Sequence, residues 1–287
     1  MIAMSVEQAR SEYARKVCEA ARVTWPGLRD AFAHVPRERF LGPGPWLLVT
    51  PSPDGRTTGD YAQTADASPA QVYQDSLIAI DPERQLNNGH PSSHALWIAA
   101  TLPQPGASVL HLGCGTGYYS AIFAELVGRG GRVLAIEIDP ELAERARNAL
   151  ASWPQARVVT GDGSQPGGPH DVIYINAGAT HARPEWESAM AEGGRLLLPL
   201  TVHKRSNSSP HGIGITICAT RQGERWPVRV VSSVAIFDCV GARNPGAEAQ
   251  LRTLLGRSSE QIRSLATGAH AKGEACLLHG EGFCLQR

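Results

Sequence analysis

Short apolar runs alternate along this chain with stretches whose apolar positions recur at helical spacing. Val109, Leu110 and Leu112 make one such run, closed by turn residues, as a strand covered on both faces would be. Others follow at Arg132–Glu137 (RVLAIE), Ala156–Thr160 (ARVVT), 171–176 (DVIYIN) and 194–200 (GRLLLPL). Between them, Tyr118–Val127 puts Tyr119, Ile122, Phe123 and Leu126 on one helical face. The stretch 140–151 opens on Pro140, which suits a first helical turn, and 183–191 is a further helix. Two more strands are predicted at 212–220 and 228–237. Upstream, 5–21 repeats Val6, Ala9, Tyr13 and Val17 as an amphipathic helix, 27–40 holds a second helix ending near Pro36, and 92–102 leads into the first strand. Strands alternating with helices predict an α/β fold with a mostly parallel sheet.

The pattern breaks in three places. Residues 41–72 are rich in Pro, Gly, Asp and Thr, although Trp46, Tyr61 and Tyr73 argue for packing. A loop of that length is read as a lid or wall over a pocket, or as a surface insertion. Residues 203–211 (HKRSNSSPH) form a polar, hairpin-like loop, and 241–245 mark a boundary. Beyond it, 247–255 is helical and 275–285 a terminal strand. Three regions result: an N-terminal helical segment with the long loop (1–80), a core (81–241) and a C-terminal extension (242–287) suited to packing, dimerisation or substrate choice.

Candidate chemistry enters at the end of the first core strand. Gly113, Cys114, Gly115, Thr116 and Gly117 form G-x-G-x-G, where glycine lets the backbone turn tightly and a ligand approach the main chain. Glu137 ends the next strand, at the ~20-residue spacing of an acid that binds ribose hydroxyls. A dinucleotide fingerprint would need a third glycine at 118, and position 118 is Tyr. The tight form suits a nucleoside without a pyrophosphate, such as S-adenosylmethionine. Asp162, between Gly161 and Gly163 at the end of the third strand, can accept from an adenine amino group or simply shape an Asp-Gly turn. Asn176-Ala177-Gly178-Ala179 leaves room at the carboxyl edge of the sheet, where ligands bind in open α/β folds.

At these residues a resemblance becomes visible. The stretches VLHLGCGTGYYSAIFAELVG, GRVLAIEIDPELAERARNAL, VVTGDGS, DVIYINAGA and EGGRLLLPL, with AFAHVPRERF and VYQDSLIAI ahead of them, are similar to protein-L-isoaspartate O-methyltransferases, in order, from about residue 31 to 241. The resemblance implies a Rossmann-like class I methyltransferase, with a seven-stranded mostly parallel sheet and helices on both faces, and S-adenosyl-L-methionine as methyl donor. It implies cofactor contacts from Gly113, Gly115, Gly117, Tyr118, Glu137, Ile138, Asp162 and Gly163. It also shows a departure. The family carries a Gln-Thr-Ile-Ser-x-Pro segment whose serine lies at the substrate carboxylate. Here the segment is Leu86-Asn87-Asn88-Gly89-His90-Pro91-Ser92-Ser93, and Gly89 stands in that serine's place.

The acceptor site is therefore rewritten, with Asn88, His90 and Asn176 as candidate catalytic residues and Asn87 and Ser92 as candidate substrate contacts. Asn side chains donate to a carboxylate or carbonyl, and also shape turns before glycine. Ser92 and Ser93 replace a hydroxyl or cap the next helix. His90 is the best base by position, with His181 as a further candidate and His94 and His111 read as structural. A carboxylate acceptor is ionised at neutral pH and needs no base, whereas a hydroxyl needs one. Competing readings are a natural-product or peptide-pathway acceptor and a non-catalytic cofactor- or partner-binding protein. Nucleobase methylation is disfavoured by Ala-Gly-Ala after Asn176, and a nicotinamide oxidoreductase by Tyr118.

Composition trims the picture further. Lys plus Arg and Asp plus Glu both number 27, so no basic excess invites nucleic acid. No apolar run approaches membrane-spanning length, and charges from Glu7 to Lys16 interrupt any secretory segment. The six cysteines, at 18, 114, 218, 239, 276 and 284, form no C-x-x-C. They read as reduced thiols of a cytoplasmic protein rather than disulfides or a metal site.

Overall fold

The computed structural model describes residues 4–51, 57–203, 211–257, 259–268, 271–280 and 282–287. Ser5 starts α1 (Val6–Ala20) with a capping box, its hydroxyl accepting from the Gln8 N–H while the Gln8 side chain accepts from the Ser5 N–H. Pro26 occupies the first turn of α2 (Pro26–His34), which stops before Pro36. Residues Arg37–Phe40 form a separate 3₁₀ turn, so 27–40 is not one helix.

The Pro- and Gly-rich stretch holds structure that its punctuation hid. β1 (Leu47–Pro51) and β2 (Thr57–Gln63) form an antiparallel hairpin, tied to the body by a bridge from Leu48 to Ile78. A smaller hairpin, β3 (Ala79–Asp81) with β4 (Leu86–Asn87), delivers the chain to α3 (Pro91–Thr101). The core then runs β5 (Ser108–Leu112), α4 (Tyr118–Val127), β6 (Arg132–Glu137), α5 (Pro140–Ala149), β7 (Ala156–Thr160) and β8 (His170–Ile175). It continues with the short α6 (Pro184–Ser188), β9 (Met190–Val202), β10 (His211–Thr220) and β11 (Arg225–Phe237). Residues 204–210 of the expected polar loop lie outside the described residues. After α7 (Pro245–Leu255) come β12 (Ser264–Thr267), β13 (Cys276–His279) and β14 (Phe283–Gln286). The extension thus ends in a hairpin where one strand was expected, with Gly282 at φ +72° just ahead of β14.

One ten-stranded sheet results, ordered β13-β14-β12-β11-β10-β9-β8-β5-β6-β7. The five strands from β7 to β9 are parallel and the remainder pair antiparallel. The expected seven strands are present, and the extension lengthens their sheet by three. Strand alternation divides the core in two. Val109, Val172, Tyr174 and Leu197 face α1 to α4, while Leu110, Ile173, Ile175, Leu196 and Leu198 face α6, α7 and the extension. Each buried aliphatic side chain contributes roughly 1.5–3 kcal/mol, so covering both faces accounts for the nearly unbroken apolar runs.

The order β7-β6-β5-β8-β9 places a switch point between β5 and β8. The chain leaves β5 towards one side of the sheet and returns on the other at β8. Strand ends diverge there, and a crevice opens at their carboxyl edge.

Candidate active site

The Gly113–Gly117 turn lies at that switch point. Gly113 has φ +72° and Gly115 φ +56°, in the left-handed region open to glycine. A Cβ at Gly113 would lie 3.1 Å from the Asn176 carbonyl oxygen, whereas one at Gly115 would meet only Ile80 Cδ1, at 3.6 Å. The Gly113 N–H donates to the Ile136 carbonyl (2.8 Å), which ties the turn to the end of β6. Cys114 is buried, and its thiol is held well above its ordinary pKa by burial, so it is a neutral spacer.

Glu137 completes the turn. Its Oε2 accepts from the Gly115 N–H at 2.7 Å and its Oε1 from the Asp139 N–H at 3.1 Å. Burial pushes this carboxyl above its usual range, opposed by those two N–H bonds. Asp139 is not idle. It caps α5 by accepting from Glu141 and Leu142 N–H, and it pairs with Arg84.

A crevice of about 60 Å³ lies at the ends of β5, β6 and β7, lined by Gly113, Ile138, Asp162 and Gly163 together with Asp238, Cys239 and Val240 after β11. Ile138 and Val240 are 46% and 58% exposed, among the few large apolar side chains left open to solvent. Two solvent-open apolar side chains lining a crevice that Asp162 and Asp238 also line suit a heteroaromatic ring. Hydrogen bonds from Ser164, assisted by Arg183, hold Asp162 below the usual carboxylate range. Trp186 Nε1 donates to the Gly163 carbonyl (3.1 Å), and a Cβ at Gly163 would come within 2.8 Å of Leu112. Tyr118 does not reach the crevice. Its ring turns into the core against Phe40 and Phe32, and its hydroxyl meets that of Tyr13 at 3.2 Å. As the first residue of α4, it follows the face that buries the helix, which corrects its expected place among the cofactor contacts.

Beside the crevice lies a wider pocket of about 240 Å³. Asn176 lines the pocket and its neighbour Ala177 lines the crevice, so the two spaces meet at the end of β8. The Asn176 side chain donates from Nδ2 to the Gly113 carbonyl (3.0 Å), which fixes the junction. Asn87, His90, Ser93 and His94 form one wall and Ser233–Phe237 of β11 another. Asn87 Oδ1 accepts from the Tyr61 hydroxyl of the β1–β2 hairpin (3.0 Å). Among the described residues that line the pocket, the ionisable side chains of acid–base chemistry are all histidines: His90, His94 and His211.

The rewritten segment divides. Asn87 and His90 face the pocket, whereas Asn88 is buried behind it. Asn88 Oδ1 accepts from Arg37 Nη2 (3.1 Å) and from the Ile78 N–H (3.2 Å). Arg37, fully buried, also donates to the carbonyls of Val72, Gln74 and Ser76. Asn88 therefore belongs to the clamp that holds the loop, which corrects its expected catalytic place. Ser92 is likewise turned to its own helix start: its N–H donates to Asp75 Oδ1 (2.8 Å), and its hydroxyl lies 3.1 Å from His90 Nδ1. The cap of α3 is thus Asp75, which also contacts His90 Nδ1 at 3.3 Å and orients its ring. His181 lines a separate hollow beside α7.

His94 has more to do than its helical position suggested. Its ring stacks on Tyr119 at 3.5 Å between centroids, and Nδ1 is 2.7 Å from the Tyr174 hydroxyl. Burial holds it well below the usual histidine range, so it is neutral. A Cβ at Gly89, where φ is +80°, would lie 2.3 Å from His94 Nε2. The imidazole thus fills the space into which a side chain at 89 would project. Asp75 and the 237–240 segment were missed in sequence, and His94, a candidate near the pocket edge, was read as structural, because each acts through a fold contact. The one available signal was the acidic residue in VYQDSLIAI.

A Rossmann-like sheet with a glycine turn, a carboxylate closing that turn from the end of the next strand, and a crevice at the carboxyl edge defines a class I S-adenosylmethionine-dependent methyltransferase. The comparisons carry this to the family. The sequence model described as Protein-L-isoaspartate(D-aspartate) O-methyltransferase matches residues 59–209. The protein-L-isoaspartate O-methyltransferase of Aeropyrum pernix is 43% identical over 199 residues, 67% of this chain and 67% of that protein. The Methanopyrus kandleri enzyme of the same name is 39% identical over 136 residues, 45% of this chain and 59% of that protein. A solved Plasmodium falciparum structure, titled as a protein-L-isoaspartate O-methyltransferase homologue in complex with S-adenosyl-L-homocysteine, superposes with a TM-score of 0.59 at 13% identity, covering 80% of this chain and 97% of that one. The chain belongs to the protein-L-isoaspartate O-methyltransferase family, and S-adenosyl-L-methionine is its cofactor. Among the described residues, no helix is long and apolar enough to cross a membrane.

Proposed function

We propose that this protein methylates a carboxylate of a peptide or protein, in a pocket rebuilt around histidines. The observation that carries the reading is the junction at Asn176, where the crevice and the histidine-lined pocket meet. Gly113, Gly115 and Gly117 would hold the amino-acid part of the cofactor, Glu137 the ribose hydroxyls, Ile138 and Val240 the faces of the adenine, and Asp162 and Gly163 its edge. When bound, the cofactor supplies an electrophilic methyl group on sulfur.

The protein's own task is to place a carboxylate oxygen in line with that methyl and keep water away. An ionised carboxylate needs no base, so the pocket needs donors rather than acceptors. With the Tyr174 hydroxyl donating to Nδ1 of neutral His94, Nε2–H faces the space over Gly89 as a donor. His90, oriented by Asp75, and Asn87, held by Tyr61, supply further polar contacts at the mouth. The β1–β2 hairpin then acts as a wall of the pocket.

A second reading is favoured by Gly89. His94 leaves no room there for the serine of the resembling segment, so the accepted carboxylate can sit in a different peptide context, such as a peptide under maturation. Methyl-labelled S-adenosylmethionine with isoaspartyl and aspartyl peptides separates these outcomes. Label on the isoaspartyl peptide, released as methanol in mild base, is expected. Base-labile label found only on other peptides selects the second reading. Base-stable label would remove carboxyl methylation altogether.

A further inference from the structure

The C-terminal extension carries a constellation that methyl transfer does not use. Residues 276–284 read CLLHGEGFC, placing Cys276, His279 and Cys284 at C-x₂-H-x₄-C spacing. Residues three apart on a regular strand face opposite ways. Here the register slips between Cys276 and Leu278: Cys276 pairs with Gln286, Leu278 with Leu285 and His279 with Cys284. Two residues on β13 therefore oppose one on β14, which is a β-bulge. The bulge returns Cys276 to the face shared by His279 and Cys284. Leu278, Phe283 and Leu285 remain in the core. The two sulfur atoms and a ring nitrogen of His279 all lie within 4.8 Å of one another.

The surroundings support this cluster as a metal site. The Gly273 N–H donates to Cys276 Sγ at 3.3 Å, the kind of outer contact that steadies a thiolate ligand. Gln250 of α7 brackets the His279 main chain, donating to its carbonyl (2.9 Å) and accepting from its N–H (3.0 Å). A disulfide fits less well, since Cys276 and Cys284 are diagonal rather than facing across the strands.

We propose that Cys276, His279 and Cys284 bind one zinc ion, with a fourth position left to solvent. Two thiolates and an imidazole are a borderline-soft donor set suited to zinc, and the two thiolates balance its charge. Bonds of about 2.0–2.3 Å put tetrahedral ligands roughly 3.3–3.8 Å apart, so the side chains close by about 1 Å. The ion would staple the outermost hairpin of the sheet, where β13 is the edge strand and, among the described residues, no further strand pairs with it.

The test uses the full chain, purified with reductant from zinc-supplemented cells. Elemental analysis should give about one zinc per chain, and cobalt added to the stripped protein should give the intense visible bands of a tetrahedral thiolate site. Cys276→Ser and His279→Gln should each cut zinc content at least about tenfold while S-adenosylhomocysteine binding persists, showing that the core is folded. Chelation should lower the melting temperature of the parent protein and leave that of Cys276→Ser unchanged. Failure to retain zinc or to give the cobalt bands overturns the proposal. So does undiminished zinc in both variants, or a Cys276–Cys284 disulfide in the mass spectrum of the freshly isolated protein.

Discussion

The crevice and the pocket touch at Asn176, yet they are built in opposite ways. The crevice is made mainly by the strand ends of the parallel part of the sheet, joined by Asp238–Val240 after β11, and backbone groups hold its polar side chains: the Gly115 and Asp139 N–H groups on Glu137, and the Gly113 carbonyl on Asn176. The pocket is assembled from the 87–97 segment, Asn176 after β8, His211 of β10 and Ser233–Phe237 of β11, with Tyr61 of β2 holding Asn87. Its chemistry is carried by side chains, several of them oriented by residues far away in sequence. A site made of backbone changes slowly, because each alteration disturbs the sheet. A site made of side chains on separate elements can be rewritten one position at a time, which is what Gly89 and His94 record.

The largest expected effect tests whether the two regions are separate. Glu137→Ala removes a carboxylate that holds the turn, and should weaken S-adenosylhomocysteine binding about 100-fold by calorimetry. If cofactor affinity is unchanged and only acceptor saturation shifts, the division drawn here is wrong. Gly89→Ser comes next. With φ +80° and the His94 ring 2.3 Å from a new Cβ, it should cost about 2–3 kcal/mol in urea unfolding, and adding His94→Ala should return part of that cost. A neutral single substitution would mean that His94 does not fill the serine's place.

A smaller effect sharpens the pocket side. His90→Ala should lower kcat/KM about tenfold while cofactor affinity stays within about twofold, and Asp75→Asn should follow it in the same direction. Equal losses in cofactor binding would move His90 out of the pocket's chemistry. The gentlest test is pH. Burial lowers His94 and His111, the latter to about 3 from an ordinary 6.5. Below that ordinary value the unfolded chain binds protons that the folded chain refuses, so stability is present above it and lost as pH falls. His111 alone should cost about 1 kcal/mol per pH unit between about pH 6 and 5. Urea curves at about pH 7 and about pH 5.5 check this, and a His111→Gln protein should show a shallower decline.

Much of the crevice was legible because it is local in sequence. Gly113, Gly115 and Gly117 announce a turn, Glu137 and Ile138 end the next strand, and Asp162 with Gly163 ends the third. Tyr118 was misplaced by the same reasoning, since a residue beside the turn can still point its ring inward. The pocket was legible only as a departure at 86–93. Asn88 looked like a donor because asparagine donates, yet Arg37, 51 positions away, claims it. His94 looked like helix interior until the path of Gly89 brought the two together. The pairing of β1 with β2 was hidden by the Pro- and Gly-rich composition of 41–72, whose residues 52–56 lie outside the described residues, and it needed the body of the protein behind it.

By itself, the sequence determined the alternation of strands and helices, the donor turn and its carboxylate, because periodicity and glycine positions act over a few residues. The tertiary structure decided which side chains share a space: Asp75 with His90, His94 with Gly89, Val240 with Ile138, and Cys276 with His279 and Cys284. Those meetings depend on strand order, on a bulge and on loops closing over long chain distances, and the residues involved carry no local signature of whom they will meet.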